Sequence, residues 1–211
     1  MSADTSRPYR STLRAEQAAA TRRRVLLAVA DEVTAVGYDR ATLGRIAARA
    51  DVSVETVKAQ GAKRELLVRA FEVVFAGDEG EHSLGERVVA DLDGLPDDPA
   101  DLLPTVTAFV ADAYARSVRL WEVFVVAART DADVAAEHAA LLARRRLDTR
   151  GVADLVATRT GAAAFDDATL DLVELVYSHE SWRHLVEERG WSHEQWVRWA
   201  VEAVTAMLRP S

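Results

Sequence analysis

Residues 50–67 read ADVSVETVKAQGAKRELL. Ala50-Asp51-Val52 forms a turn, Ser53 opens a helix, Gly61 interrupts it, and a basic, then apolar, segment follows from Lys63. Two short helices joined by a tight turn need four things: a small residue where they approach, an apolar pocket between them, a turn residue that tolerates positive φ, and N-caps. Segment 42–60 supplies each. Ala47 is the small residue, and Ile46, Ala50, Val52 and Val57 form the pocket. Asp51 stands where glycine is best and aspartate is among the better substitutes. Thr42 and Ser53 are N-caps, because a hydroxyl can accept from an otherwise unpaired backbone N–H. Val54, Glu55, Thr56, Lys58, Ala59 and Gln60 are left facing outward. A second helix docked in a major groove presents such positions to base edges.

The flanks extend the pattern. Ala19, Val25, Leu26, Ala28, Val29, Val33 and Val36 mark a helical stripe over about 16–36, and Gly37 supplies a stop. A further helix is expected from Glu65 to about Ala76. Residues 77–99 then turn acidic and rich in Gly and Pro (GDEGEHSLGE, DLDGLPDDP), which is the best boundary in the chain. Beyond it, helices are expected over about 99–118, 119–129, 133–158, 167–189 and 193–208. Asp98-Pro99 reads as a cap and first helical residue, and Pro104 as a bend or delay. Ser192 to Gln195 reads as a capping box, and Arg209-Pro210 as a close. No strand-like alternation or internal repeat is evident. The fold class is all-α.

The 211 residues carry a net charge of −8. Residues 1–75 hold 13 Lys/Arg against 9 Asp/Glu, whereas residues 76–211 hold 13 against 25. A basic head can meet phosphate while an acidic body stays off it. Cysteine is absent, which excludes disulfides, thiolate metal sites and cysteine nucleophiles. The first residues lack an apolar core of signal-peptide length, and no apolar run approaches a membrane helix. A soluble, cytoplasmic protein is expected.

The chain resembles the TetR (tetracycline-repressor-like) family of transcriptional regulators. The resemblance lies in residues 25–71, anchored by Ala30, Gly37, Tyr38, Thr42, Ile46, Ala47, Ala50, Val52, Ser53, Thr56, Lys63 and Leu66-Leu67. HLVEERGWSHEQWVRWAVEAVTAML, near the C-terminus, and GDEGE also look like one branch of that family. The middle, 100–165, is similar only in helix pattern. The resemblance implies a basic arm (1–15), a helix-turn-helix DNA-binding domain (16–62), a connecting helix (63–78), and a ligand-binding and dimerising body (79–211). It implies a homodimer on a palindromic operator in double-stranded DNA, most often a repressor, released when a small-molecule effector moves the fourth helix.

Three positions depart from the family pattern. Asp51 replaces the turn glycine, Lys58 replaces an aromatic that touches phosphates, and QGAK is one residue short of the usual aromatic close. The expected DNA-facing set is Thr42, Arg45, Ser53, Val54, Glu55, Thr56, Lys58, Ala59, Gln60 and Lys63. Glu55 can accept from a cytosine amino group or simply favour the helix dipole. Thr42 and Thr56 suit phosphate or base contacts, and Lys58 and Lys63 suit phosphates. Arg22-Arg23-Arg24 form either a phosphate rim or a solvated face.

For the body, the expected effector pocket combines Phe109, Trp121, Phe124, Tyr177 and Trp182 with His138, His179 or Arg183 as polar contacts. The body's acidity favours a neutral or cationic ligand. Val173, Val176, Leu185, Trp196, Val197, Ala200, Val204 and Leu208 are candidates for a twofold interface through the last two helices. Enzyme signatures fail on spacing. The histidines of HESWRH are five apart, where a metalloprotease helix needs four. The Glu-x-x-His at Glu79–His82 occurs once, in a Gly-rich segment, where di-iron bundles need a pair. No metal, cofactor or catalytic residue is expected. The competing reading is a helical small-molecule binding protein whose head has lost sequence-specific DNA recognition.

Overall fold

Ten Gly and five Pro leave long stretches without helix breakers, and helices dominate the structure. It is a computed structural model that describes residues 7–76 and 99–208, with no strand among them. Helix α1 (Arg7–Val36) begins well before the expected start. Residues 7–15, expected as an arm, are its first turns, and residues 1–6 lie outside the described residues. Val25, Leu26, Val29 and Val33 are all fully buried, the stripe that the sequence predicts. Gly37 ends the helix at φ +83°, its N–H donating to Val33 O at 2.8 Å.

Two short helices complete the head, α2 (Leu43–Ala50) and α3 (Val54–Lys58), and α4 (Lys63–Ala76) leads from it into the body. Helix α4 packs on both α1 and α5 (Pro99–Ala128). Leu66, Leu67, Ala70 and Phe71 of α4 have no exposed surface. One core cluster therefore runs from α1 through α4 into the body.

Helix α5 is a single 30-residue helix that runs through Pro104, where two helices meeting near 118 were expected. Val118, Leu120 and Trp121 are buried and carry its apolar face across that point. It packs along α6 (Ala132–Thr160), which Asp131 caps by accepting from the Asp133 and Val134 N–H groups. The expected helix 167–189 is broken. α7 (Asp167–Val176) stops at Tyr177, and Ser178 caps α8 (His179–Trp182), which widens into a π-helical turn over Arg183–Glu188. Ser178 Oγ accepts from Ser181 N at 3.0 Å, while the Ser181 hydroxyl donates back to Val176 O at 2.6 Å. Serine side chains thus replace the backbone ladder at this point. The break turns His179 wholly inward. Helix α9 (His193–Met207) starts with the expected capping box: Ser192 and Gln195 each accept from the other's backbone N–H.

The expected boundary over 77–98, Glu79–His82, Asp98 and the closing Arg209-Pro210 lie outside the described residues. Among those described, no helix is long and apolar enough to cross a membrane.

Candidate nucleic-acid interface and effector cavity

The turn of the head is built as the sequence suggests. Asp51 adopts φ 53°, ψ 53°, the one non-glycine residue at positive φ among those described. Around it Val52 N donates to Ala47 O (3.0 Å) and Asp51 N to Ala48 O (3.4 Å), closing a Schellman motif. Ile46 and Val57 are fully buried between the helices. Thr42 Oγ1 accepts from Arg45 N at 3.3 Å, and Ser53 Oγ from Thr56 N at 3.1 Å. Ser53 and Thr56 also join hydroxyl to hydroxyl at 2.9 Å.

Helix α3 is short, ending at Lys58. The next turn tightens, with Gln60 N donating to Val57 O and Gly61 N to Lys58 O. Gly61 sits at φ +137°, and a Cβ there would meet Glu65 Oε2 at 2.7 Å. That oxygen accepts from Ala62 N at 3.1 Å and organises the entry to α4. Ser53, Glu55, Lys58 and Ala59 are exposed, while Val54, Thr56 and Gln60 are half-buried. The Gln60 side chain accepts from Arg22 Nη1 at 3.1 Å, which ties the end of α3 to α1.

Two basic residues of the expected interface are held within the head. Lys63 Nζ donates to Tyr38 O (2.9 Å) and Ala41 O (3.3 Å) and lies 4.1 Å from the Tyr38 ring centre. Its ammonium thus clips the start of α4 to the loop before α2. Arg45 and Arg49 both pair with Glu32, a carboxylate of α1 that is only 2 % exposed. Two guanidinium groups offset the cost of burying that charge.

In the body, a cavity of about 110 Å³ lies between α4, α5, α6, α7 and α9. Phe75, Val106, Phe109, Val156 and Phe165 give it an apolar wall, and Tyr114, Arg145, Asp148, Thr149 and Tyr177 gather its polar groups. A second recess of about 460 Å³ shares Arg145, Thr149 and Tyr177 and adds Trp121, His138, Glu174 and Glu180. Of the expected pocket residues, Phe109 and Tyr177 line the first space, and Trp121, His138 and Tyr177 the second. Phe124, His179 and Trp182 line neither. They are buried behind the walls, where inward helix faces placed them in core. Arg183 lies outside both, paired with Glu188 and 3.7 Å from Glu122.

Arg145 was not anticipated. It belongs to the run Arg144-Arg145-Arg146, which reads as a solvated charge cluster. Successive residues on a helix point in different directions: Arg144 reaches Glu72 at 3.1 Å, and Arg146 reaches Asp171 (2.6 Å) and Glu174 (3.1 Å). Only Arg145 falls on the stripe of Val134, His138, Leu141, Thr149 and Val156, and that spacing was the signal available.

Arg145 Nη1 lies 3.4 Å from His179 Nδ1, and Nη2 donates to Tyr114 Oη (3.3 Å) and Tyr177 O (3.5 Å). The Ser117 hydroxyl donates to Ala113 O at 2.7 Å, so at 2.9 Å from His179 Nε2 it must accept. His179 is therefore the Nε2–H tautomer, with Nδ1 accepting from Arg145. Burial holds its pKa well below the usual histidine range, and the Arg145 charge pushes the same way. The imidazole stacks on Trp121 (4.6 Å, 13°), whose indole N–H donates to Glu180 at 3.0 Å. Thr107 donates to Leu103 O, so the Tyr177 hydroxyl donates to Thr107 at 2.7 Å; burial pushes the Tyr177 pKa up to about 12. His138 Nε2 and Glu174 Oε1 are buried with no hydrogen-bond partner.

Ring contacts lead from this network into α4. Phe75 packs on Tyr114 (5.8 Å) and His179 (5.7 Å), and Phe71 on Trp121 (5.3 Å). Arg116 of α5 donates to Phe75 O at 2.9 Å, holding the last carbonyls of α4.

No protein-family model matches the chain, and no curated protein matches it in sequence. Solved structures do. A protein from Pseudomonas aeruginosa PAO1 assigned as a transcriptional regulator superposes with a TM-score of 0.68 at 17 % identity, over 88 % of this chain and 89 % of that one. A transcriptional regulator from Rhodococcus sp. Rha1 gives 0.61 at 17 % identity, over 89 % and 95 %. A member of the TetR family from Streptomyces coelicolor A3 gives 0.59 at 22 % identity, over 90 % and 99 %. At these identities the likeness is one of fold.

Proposed function

We propose that this chain, which has the fold of the TetR-family regulator, is a soluble, cytoplasmic, ligand-responsive DNA-binding regulator. On this reading it acts as a homodimeric repressor on a palindromic operator, and a small molecule in the body releases it. The observation that carries the proposal is the shared use of α4. Phe75 in its last turn lines the cavity, while Lys63 in its first turn clips onto the loop before α2. Two ion pairs also tie α4 to α6, Arg64–Asp133 at 3.4 Å and Glu72–Arg144 at 3.1 Å. A ligand that displaces Phe75 or α6 therefore acts on the base of the head. Val54, Glu55, Thr56, Lys58 and Ala59 are the groups offered to DNA, with Thr42 and Ser53 at helix starts suited to phosphate.

Five of the residues expected at a twofold interface, Val173, Val176, Trp196, Ala200 and Val204, are buried inside the protomer and are spent on its own core. Leu172 and Leu175, on the outer side of α7, are 51 % and 64 % exposed. They support pairing through this end of the molecule, together with the half-buried Val197 and Leu208.

Selection of bound fragments from random DNA tests the proposal. A palindromic consensus is expected, bound with strong salt dependence because counterions are released. Recovery of no consensus at moderate salt, by protein that binds small molecules tightly, would favour the competing reading. The short α3 is the observation on that side.

A further inference from the structure

We infer that the body cavity takes a monocarboxylate with an apolar body, its carboxylate held by Arg145 and Tyr114. The inference rests on the cavity being the effector site and adds the chemical class of its occupant.

It follows from the donors left over at the polar end. Tyr114 is 2 % exposed, and its oxygen accepts from Arg145, so its own O–H proton must point elsewhere. A guanidinium has five N–H groups in a fixed fork. Arg145 commits Nη1 towards His179 Nδ1 and Nη2 towards Tyr114 and Tyr177 O, which leaves Nε–H and a second Nη1 proton. Among the described residues no carboxylate lies within 4 Å of that guanidinium; its neighbours are a neutral imidazole, a phenol, a carbonyl and the Trp121 ring at 5.3 Å. Surplus donors plus a cation call for an acceptor carrying negative charge, and a carboxylate oxygen accepting from one free guanidinium N–H supplies it.

The surrounding charges narrow the choice. Glu174 is engaged by Arg146 and Glu180 by Trp121, and both line the second recess. Burial keeps the pKa of His138 below its ordinary value, so it adds no standing charge near neutral pH. Asp148 lines the same cavity as Arg145, so a dianionic phosphate meets more repulsion than a monoanion. The other walls are aliphatic and aromatic and suit an alkyl or aryl body. The acidity of the whole body thus misleads about the ligand, because the charge that matters is the one inside.

The test is titration of the full chain, without DNA, with hexanoate, octanoate and decanoate against the matching primary alcohols and methyl esters. Binding is read by calorimetry and by tryptophan fluorescence, to which Trp121 reports. The best acid is expected to bind roughly tenfold to a hundredfold tighter than its alcohol. Arg145→Gln should erase that difference between acid and alcohol, and Tyr114→Phe should narrow it by a smaller factor. Equal binding of acid and alcohol, preference for the ester, no binding of any probe, or an acid preference that survives in folded Arg145→Gln each overturns the inference. If Arg145→Gln does not fold, the wild-type acid-to-alcohol ratio and Tyr114→Phe decide. Acid binding without any selected DNA sequence would sink the regulator reading alone. A DNA consensus that only a different chemical class releases, with no acid binding, would sink this inference alone.

Discussion

The head and the body are held by different kinds of information. In the head, the contacts that set helix starts and turns lie close in sequence: Thr42 to Arg45, Ser53 to Thr56, Val52 to Ala47, Ala62 to Glu65. In the body, they join residues far apart: Thr107 to Tyr177, Ser117 to His179, Trp121 to Glu180, Tyr114 to Arg145. Local caps fix where helices start and how they turn, whereas buried polar networks fix how long helices register against one another. The proposed function would use both, a head whose shape tolerates little change and a body whose packing a ligand can alter.

The largest effect should come from breaking the seam between the two. Phe71 is fully buried on α4 and touches Phe75, Trp121, Phe124 and His179. Phe71→Ala should cost about 3–5 kcal/mol and lower one cooperative melting transition reported by both halves. If the head kept its own midpoint while the body melted earlier, the two would not share a core.

A second effect belongs to the body alone. The folded-state pKa of His179 is depressed, whereas an unfolded histidine titrates near 6.5. Below that value the unfolded chain binds the extra proton, so stability is complete above about pH 6.5 and falls as the pH drops toward the folded pKa. The slope for one proton is about 1.4 kcal/mol per pH unit. Denaturant titrations between pH 5 and 7 should show it, and His179→Gln should reduce it, leaving the part due to His138, whose pKa burial also lowers. An unchanged slope in that variant would place the pH sensitivity elsewhere.

The same division explains what was legible in the sequence. The helix-turn-helix could be read because its signals repeat at fixed short offsets: the caps at Thr42 and Ser53, the small Ala47, the turn at Asp51. The capping box at Ser192 is the same sort of signal. The break at Tyr177–Ser178 was missed because Val173, Val176, Leu185 and Val186 continue an apolar spacing across it, while the serines that replace the ladder look neutral in sequence. The pocket was half legible. Aromatic residues at helical spacing are equally suited to core and to cavity wall, and only the partner helix decides. Phe109 and Tyr177 reached the cavity, whereas Phe124 and Trp182 filled core. Arg145 was hidden in a basic run whose neighbours do face solvent acids.

A smaller effect tests the local logic of the head. Asp51 holds φ 53°, a conformation that costs a non-glycine residue roughly 1 kcal/mol, less for aspartate than for most. Asp51→Gly relieves that cost but frees the unfolded chain by part of it. The net expectation is a gain of roughly 0.5 kcal/mol in chemical denaturation, with DNA affinity unchanged. A clear loss would mean that the aspartate side chain holds the turn.

The smallest effect on the fold, and the most telling for function, should come from Lys58. It ends α3, is exposed, and stands where the resembled family places an aromatic. Lys58→Ala removes no buried contact, so the melting temperature should hold. If the ammonium neutralises a phosphate, affinity should fall by a similar factor on every sequence tested, and the slope of log K against log salt should shrink by about one. A loss confined to one base pair would make Lys58 a base reader instead. No change on any sequence would leave the readout to Val54, Glu55, Thr56 and Ala59, with Gln60 turned back against Arg22. The head would then read DNA through little more than one turn of helix, and its specificity would rest on the first half of ADVSVETVKAQGAKRELL alone.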